Sequence, residues 1–272
     1  MPNKTDEKLD AVVELLRNAT RVLFITGAGI SADSGLPTYR GLGGLYNQNR
    51  TAEGYRIEEC LSGPMFLKHP EITWKYMLQL GMTIAEHEPN DAHRILAEWE
   101  QRFAEQGGKL VILTQNIDGY HRAAGSKNVY EFHGSLGTLH CTQCSWSEQF
   151  ELNESVQDRL RELQQNLPPR CPKCNAVIRP QVVLFEENLP PHETEAFRRE
   201  FYSKPGFDLA LSVGTSAMFY YIIEPVRVAN SRGIPTVDIN PVEGELSREA
   251  AIHLPLCAAE AIQEIERRWQ EA

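Results

Sequence analysis

The chain lacks a hydrophobic run of membrane length, an excess of positive charge and a disulfide-like cysteine framework, and each absence removes a class of function. The apolar stretch from Leu209 to Ile223 is broken by Gly214, Thr215 and Ser216, well short of the roughly 20 apolar residues that a membrane-spanning helix requires. The opening residues, MPNKTDEKLD, hold no apolar core, so no signal peptide is expected and the expected location is cytoplasmic, with no membrane partner. Lysine and arginine number 27 against 37 aspartate and glutamate, a net charge of −10. Nothing in that total attracts phosphate, so no direct nucleic-acid binding is expected, whereas a basic peptide would be drawn in. With 42% hydrophobic and 24% charged residues, the composition is globular and excludes a disordered, collagen-like or coiled-coil chain. A length of 272 residues suits one large or two modest domains.

Of the six cysteines, four form two CxxC pairs, Cys141 with Cys144 and Cys171 with Cys174. Two thiolates on each of two tight turns make a closed tetrahedral zinc site with no open position for substrate, so the zinc is expected to be structural. Cys60 and Cys257 stand alone and are expected as buried thiols.

Apolar residues at helical spacing over 7–18 lead directly into a β-rich run, Val22 to Ile25. Similar runs at 110–113, 182–185, 209–213 and 236–239 alternate with helical patterns at 91–103, 191–202, 218–229 and 258–269. Strands alternating with helices predict an α/β fold with a doubly wound parallel sheet. Two stretches break the alternation and are expected to form a smaller lobe: 41–85, glycine-rich and then helical after Pro70, and the double CxxC region with a polar helix-like stretch at 154–165.

Gly27, Ala28, Gly29, Ile30, Ser31 and Ala32 after the first strand fit GxGxxA, the turn that lets a backbone approach a pyrophosphate at a helix N-terminus. The carboxylate that holds a ribose about 20 residues further on has no clear counterpart; Glu53 lies at that distance, but nothing around it reads as a second strand. Either the cofactor is held differently or the glycines are structural. Thr38, Tyr39 and Arg40 follow closely and suit a lid over a charged cofactor. Gln115, Asn116 and Asp118 end the second strand, where open α/β sheets bind ligands, although turn-forming residues also collect there. His133 ends a β-rich stretch and is either structural or a proton carrier near neutral pH.

Taken in order, GAGISADSGLPTYRG, TQNIDGYH, FHG, the two CxxC pairs, VVLFEE, GTS and Ile239-Asn240 resemble the sirtuin family of NAD-dependent protein deacylases. The resemblance implies a Rossmann-like lobe (1–40, 86–140 and 181–272), a small lobe built from a helical insert (41–85) and a zinc module (141–180), and a cleft where NAD meets an acyl-lysine protein or peptide. Gly27, Ala28, Gly29 and Ser31 would line the phosphates and Thr38, Tyr39 and Arg40 the lid. Gln115, Asn116 and Asp118 would line the nicotinamide and ribose pocket, with Gly214, Thr215, Ser216 and Asn240 along phosphate and ribose and Cys257 and Ala258 at the adenine. Asn116, Asp118 and His133 would be catalytic, His133 as the general base. The implied chemistry expels nicotinamide as the acyl oxygen attacks the ribose, then yields free lysine and O-acyl-ADP-ribose.

Two departures bear on the substrate. Where relatives commonly have Phe-Gly-Glu, this chain has Phe185-Glu186-Glu187, and Val183, Phe185 and Glu186 would line the peptide. After GTS, Phe219 and then Tyr221-Ile222 replace a valine and a proline-alanine pair, making the opposite wall bulkier. Relatives that prefer succinyl or malonyl lysine carry tyrosine and arginine three and six residues after a tryptophan; counting from Trp74, those positions hold Met77 and Leu80. The expectation is a deacetylase tolerant of apolar acyl chains and not a desuccinylase, unless both residues simply face the core of the insert. The alternatives are a mono-ADP-ribosyltransferase using the same NAD site and a non-catalytic NAD-binding sensor.

Overall fold

A computed structural model describes residues 4–38 and 50–271. In chain order the strands are β1 (Arg21–Thr26), β2 (Lys109–Thr114), β3 (Val129–Glu131), β4 (Gly134–Cys141), β5 (Ser147–Gln149), β6 (Ile178–Val182), β7 (Leu209–Val213), β8 (Thr236–Ile239) and β9 (Ile252–Leu254). The helices are α1 (Lys4–Asn18), α2 (Ala28–Ala32), α3 (Ile57–Cys60), α4 (Gly63–Lys68), α5 (Pro70–Ala85), α6 (Asp91–Glu105), α7 (Tyr120–Ala123), α8 (Gln157–Gln165), α9 (Pro191–Phe201), α10 (Tyr220–Ser231), α11 (Glu245–Glu249) and α12 (Ala258–Glu271). The larger sheet is parallel throughout, in the order β3-β2-β1-β7-β8-β9.

Successive strand residues point to opposite faces, and both faces are covered. Val22 and Phe24 of β1, with Leu110 and Ile112 of β2, join α1, α6 and α12 in one apolar cluster. Leu23, Ile25, Val111 and Leu113 join α9 and α10 on the other. Burial on both sides explains why these strands read as continuous apolar runs and not as alternating patterns. The chain leaves β1 for β2 on one side and returns to β7 on the other. Between β1 and β7 lies the switch point, outside whose strand C-termini such sheets bind ligands.

The second lobe packs α5 and α8 against a three-stranded antiparallel sheet, β5-β4-β6. This sheet starts at Gly134 and ends at Val182, so it spans both expected divisions, at 140 and 180. The run 182–185 is not a strand of the parallel sheet: Val182 ends β6, and the next residues bridge the lobes, Val183 N–H donating to His133 O (2.9 Å) and Phe185 N–H to Leu61 O (2.9 Å). An apolar, β-branched run specifies a buried strand and not which sheet takes it. The expected helix at 218–229 begins at Tyr220. Among the described residues no helix is long and apolar enough to cross a membrane.

Candidate active site

Two tight turns meet at the switch point. Gly27 N–H donates to Val213 O (3.2 Å) and Gly29 N–H to Gly214 O (2.8 Å), so the β1–α2 turn is stitched to the turn after β7. A Cβ on Gly27 would stand 2.8 Å from the Thr215 Cβ, closer than packed carbons approach. The glycines therefore serve first to bring two backbones together, and the pair of turns presents one joint surface that includes half-buried Ala28 and exposed Ser216.

A buried polar network lies beneath these turns. Ser31 Oγ donates to Asp118 Oδ2 (2.8 Å), and Asp118 Oδ1 accepts from Tyr120 N–H (2.9 Å). Asn116 Nδ2 donates to Gly27 O (3.1 Å) and to Ser31 Oγ (3.2 Å). Burial raises the Asp118 carboxyl above the ordinary range, opposed by the Tyr120 N–H and Ser31 hydroxyl, which favour the anion. Gln115 Nε2 donates to Thr215 Oγ1 (2.8 Å), and Asn240 Nδ2 donates to Thr215 O (3.0 Å). The expected phosphate, ribose and nicotinamide residues thus line one edge, at the C-terminal ends of β2, β1, β7 and β8. Cys257 and Ala258 stand at the start of α12, where Ala259 N–H donates to Asp33 just beyond α2 (2.9 Å). Cys60 is buried as expected, but Cys257 is exposed, because it precedes the helix at the rim of the sheet.

His133 lies in the short turn between β3 and β4. Its Nε2 lies 2.7 Å from the Tyr221 hydroxyl. Burial holds the imidazole down to about 4, opposed by the Gln115 backbone, so the ring is neutral at physiological pH. Phe219 meets it edge-on at 5.7 Å and is 41% exposed, forming an aromatic wall.

On the second lobe, Phe185 has both backbone groups engaged, its carbonyl accepting from Gly63 N–H (2.9 Å). Glu186 follows with φ of 67°, a left-handed conformation that suits glycine and costs another residue about 1 kcal/mol or more. Glu187 pairs with Arg179 through two contacts of 2.9 Å and accepts from Leu184 N–H (3.0 Å). Met77 is buried in the lobe core beside Trp74, Leu136 and Leu160, and Leu80 packs half-buried against the same cluster. Met77 thus occupies the position foreseen in the alternative, an interior core site. Glu53 lies in the helical insert, bonded to Lys75 (2.6 Å) and to the Tyr76 hydroxyl, whose donors, Lys75 foremost, hold its carboxyl down to about 2. It is a strut of the insert and no ribose ligand. Thr38 is half-buried; Tyr39 and Arg40 lie outside the described residues.

The four CxxC sulfurs lie within 4.8 Å of one another, with Cys141 and Cys174 at 3.4 Å and Cys144 and Cys171 at 3.6 Å. A zinc tetrahedron with bonds of about 2.3 Å has edges of about 3.8 Å, so the donor set fits zinc. Backbone N–H groups of Gln143, Cys144 and Lys173 point at the sulfurs at 3.3–3.4 Å and stabilise thiolates.

The sequence reading gave His93 and His121 no role of their own. His93 of α6 is fully buried, 3.5 Å from Ser31 Oγ and 3.2 Å from Asn90 Oδ1. His121 Nε2 meets Thr26 Oγ1 at 2.9 Å, and the two imidazoles pack at 5.0 Å. The available signal was a histidine set in the apolar stripe Ala92, Leu96, Trp99 and Phe103. Tyr221, noted only as bulk, touches His133.

The sequence pattern that defines the Sir2 family matches residues 27–220. The chain is 45% identical over 245 residues to "NAD-dependent protein deacylase 2" of Pseudomonas aeruginosa, covering 89% of this chain and 90% of that protein. It is 42% identical over 236 residues to "NAD-dependent protein deacylase" of Pyrococcus furiosus, covering 85% and 86%. A solved complex of a Sir2 homologue with NAD matches at TM-score 0.79 and 32% identity, over 96% of this chain and 94% of that one. A Sir2 complex with a p53 peptide and NAD+ matches at 0.79 and 28%, over 97% and 99%. With the family pattern spanning most of the chain and relatives matching nearly end to end, this protein belongs to the Sir2 family.

Proposed function

We propose that this chain is an NAD-dependent protein-lysine deacylase that passes the acyl group of a modified lysine to ADP-ribose and releases nicotinamide. The observation that carries this reading is the convergence of Ser31, Asn116, Asp118 and His133 at the strand C-termini beside the switch point, opposite a second lobe held by four cysteines. The naming of relatives as NAD-dependent deacylases supports it.

Bound NAD supplies a glycosidic bond whose cleavage makes ADP-ribose the acyl acceptor. The chain supplies the rest. The paired glycine turns with Ser216 would meet the phosphates, and Gln115, Thr215 and Asn240 the riboses. Asn116 and the Ser31–Asp118 pair form a dry, preorganised polar wall where positive charge develops on the ribose, and such fixed dipoles are worth more there than in water. His133, neutral and tethered, takes the proton of a ribose hydroxyl. The bridging segment from Val183 to Glu186 and the Phe219 face would flank the peptide. On the acyl group, α5 offers half-buried, apolar Leu80 and no unpaired cation, since its Lys75 is taken by Glu53, which supports acceptance of acetyl and other apolar chains over succinyl.

The test is incubation with NAD and an acetyl-lysine peptide, with products identified by mass spectrometry. Free lysine peptide with nicotinamide and O-acetyl-ADP-ribose is the expected result. An ADP-ribosylated peptide would mark a transferase instead, and no turnover with tight NAD binding would mark a sensor.

A further inference from the structure

A neutral imidazole has a single ring lone pair, and at His133 the Nε2 position is already engaged. The Tyr221 hydroxyl lies 2.7 Å from it, and in the tautomer that acts as a base through Nε2 the hydroxyl donates to that lone pair. Tyr221 is well placed to do so. It sits in the first turn of α10, its ring stacked on Phe219 at 5.3 Å and 9° and lying 6.1 Å from Phe132. A phenol oxygen lies on the axis of its own ring, so ring flipping does not move it; the hydroxyl leaves only by a rotamer change or a shift of the helix start.

A base that takes a proton from a ribose hydroxyl must accept that hydroxyl at the same lone pair. One lone pair cannot serve two donors at full strength. We propose that Tyr221 is a positioning residue that holds the place of the ribose hydroxyl at His133 Nε2 in the unliganded protein and is displaced from it when NAD binds. The phenol keeps the imidazole aimed and water off the lone pair, and each binding event must break its bond. The proposal rests on His133 being the base.

The experiment compares the wild-type protein with Tyr221→Phe, which keeps the ring stack and removes the hydroxyl, in steady-state deacetylation at saturating acetyl-lysine peptide. Removing a competitor from the free protein alone stabilises the bound state relative to the free one, so KM for NAD should fall by roughly threefold to tenfold while kcat changes by less than that factor. The ¹⁵N signal of His133 Nε2, followed by NMR in the protein without NAD, should move toward that of a free lone pair. Tyr221→Leu, which removes hydroxyl and ring together, should lower KM in the same direction. An unchanged KM with an unmoved ¹⁵N signal would overturn the proposal, and so would a more than tenfold loss of kcat at constant KM, since the phenol would then lie in the proton path. His133→Ala separates the two levels. If it still deacetylates, the base assignment itself is wrong; if it is inactive while Tyr221→Phe matches wild type, only the role of Tyr221 falls.

Discussion

Gly29 and Gly214 meet backbone to backbone. A Cβ on Gly29 would stand 2.6 Å from the Gly214 Cα, and one on Gly214 would stand 2.5 Å from the Ile30 amide nitrogen. Gly214 also holds φ of 60°. Gly214→Ala should therefore cost both left-handed strain of about 1–2 kcal/mol and the separation of two turns, for a total of roughly 3 kcal/mol or more, with loss of NAD binding. Gly233 has φ of 68° with nothing within 4 Å of a Cβ, so Gly233→Ala should cost the strain alone. Urea midpoints of the two variants measure the difference, and equal losses would show that the turn contact is not what requires glycine.

That contact was only half legible in the sequence. The glycines announced a special turn, but a ligand and a neighbouring backbone demand the same absent Cβ, and the partner lies 185 positions further along the chain. The large sheet was readable because its strands are buried on both faces and so stand out as apolar runs, as in Val22 to Ile25. The second sheet was not: β5 is the polar Ser147–Gln149, and β4 hides among glycine and threonine. β9, Ile252–Leu254, is too short to signal itself. His93 escaped because a lone histidine in an apolar stripe carries no mark of its neighbours; His121 stood within TQNIDGYH, but its partner Thr26 becomes a neighbour only when β1 and β2 pair.

Those histidines make stability depend on pH. Burial pushes His121 down to about 3 and His93 well below its ordinary value, with the proximity of His121 and Arg94 adding to the latter. Unfolded, both titrate near 6.5, so below that pH the unfolded chain binds protons that the folded chain refuses. Stability should be full above about pH 6.5 and fall as pH drops toward the folded values, by up to about 2.7 kcal/mol per pH unit for the pair. Urea midpoints at pH 7, 6 and 5 measure the slope, to which His133 also contributes, and His121→Gln should reduce it by up to about 1.4 kcal/mol per pH unit. A slope that His121→Gln leaves unaltered would remove this histidine from the account.

The cysteine cluster should hold one zinc per chain without taking part in turnover. Cys141 and Cys171 belong to the apolar core of the second lobe, so metal and packing order the lobe together. Cys171→Ala should release the zinc and leave the second lobe disordered, while the larger sheet, whose cores are separate, keeps its fold. Metal analysis by mass spectrometry and amide exchange check both parts. Full protection of 134–182 in a metal-free variant would contradict the coupling.

Acyl selectivity follows from what α5 lacks. Trp74 Nε1 donates to Ile178 O at 2.8 Å, pinning the helix to β6, and Met77 is packed in the core of the lobe. Leu80 packs at the edge of the same cluster, and the ammonium of Lys75 is bonded to Glu53 at 2.6 Å. A succinyl carboxylate brought to this helix would lose its water and find neither cation nor donor, at a cost of several kcal/mol, so its kcat/KM should fall at least about 100-fold below that of acetyl. A butyryl chain adds two methylenes, each worth about 0.8 kcal/mol when buried against apolar Leu80; its kcat/KM should be comparable to that of acetyl or higher. Leu80→Arg supplies the missing charge and should raise the succinyl-to-acetyl ratio by about tenfold or more. One peptide carried in acetyl, butyryl and succinyl forms measures all three. Succinyl turnover equal to acetyl in the wild-type protein would mean that the carboxylate finds a partner elsewhere than α5.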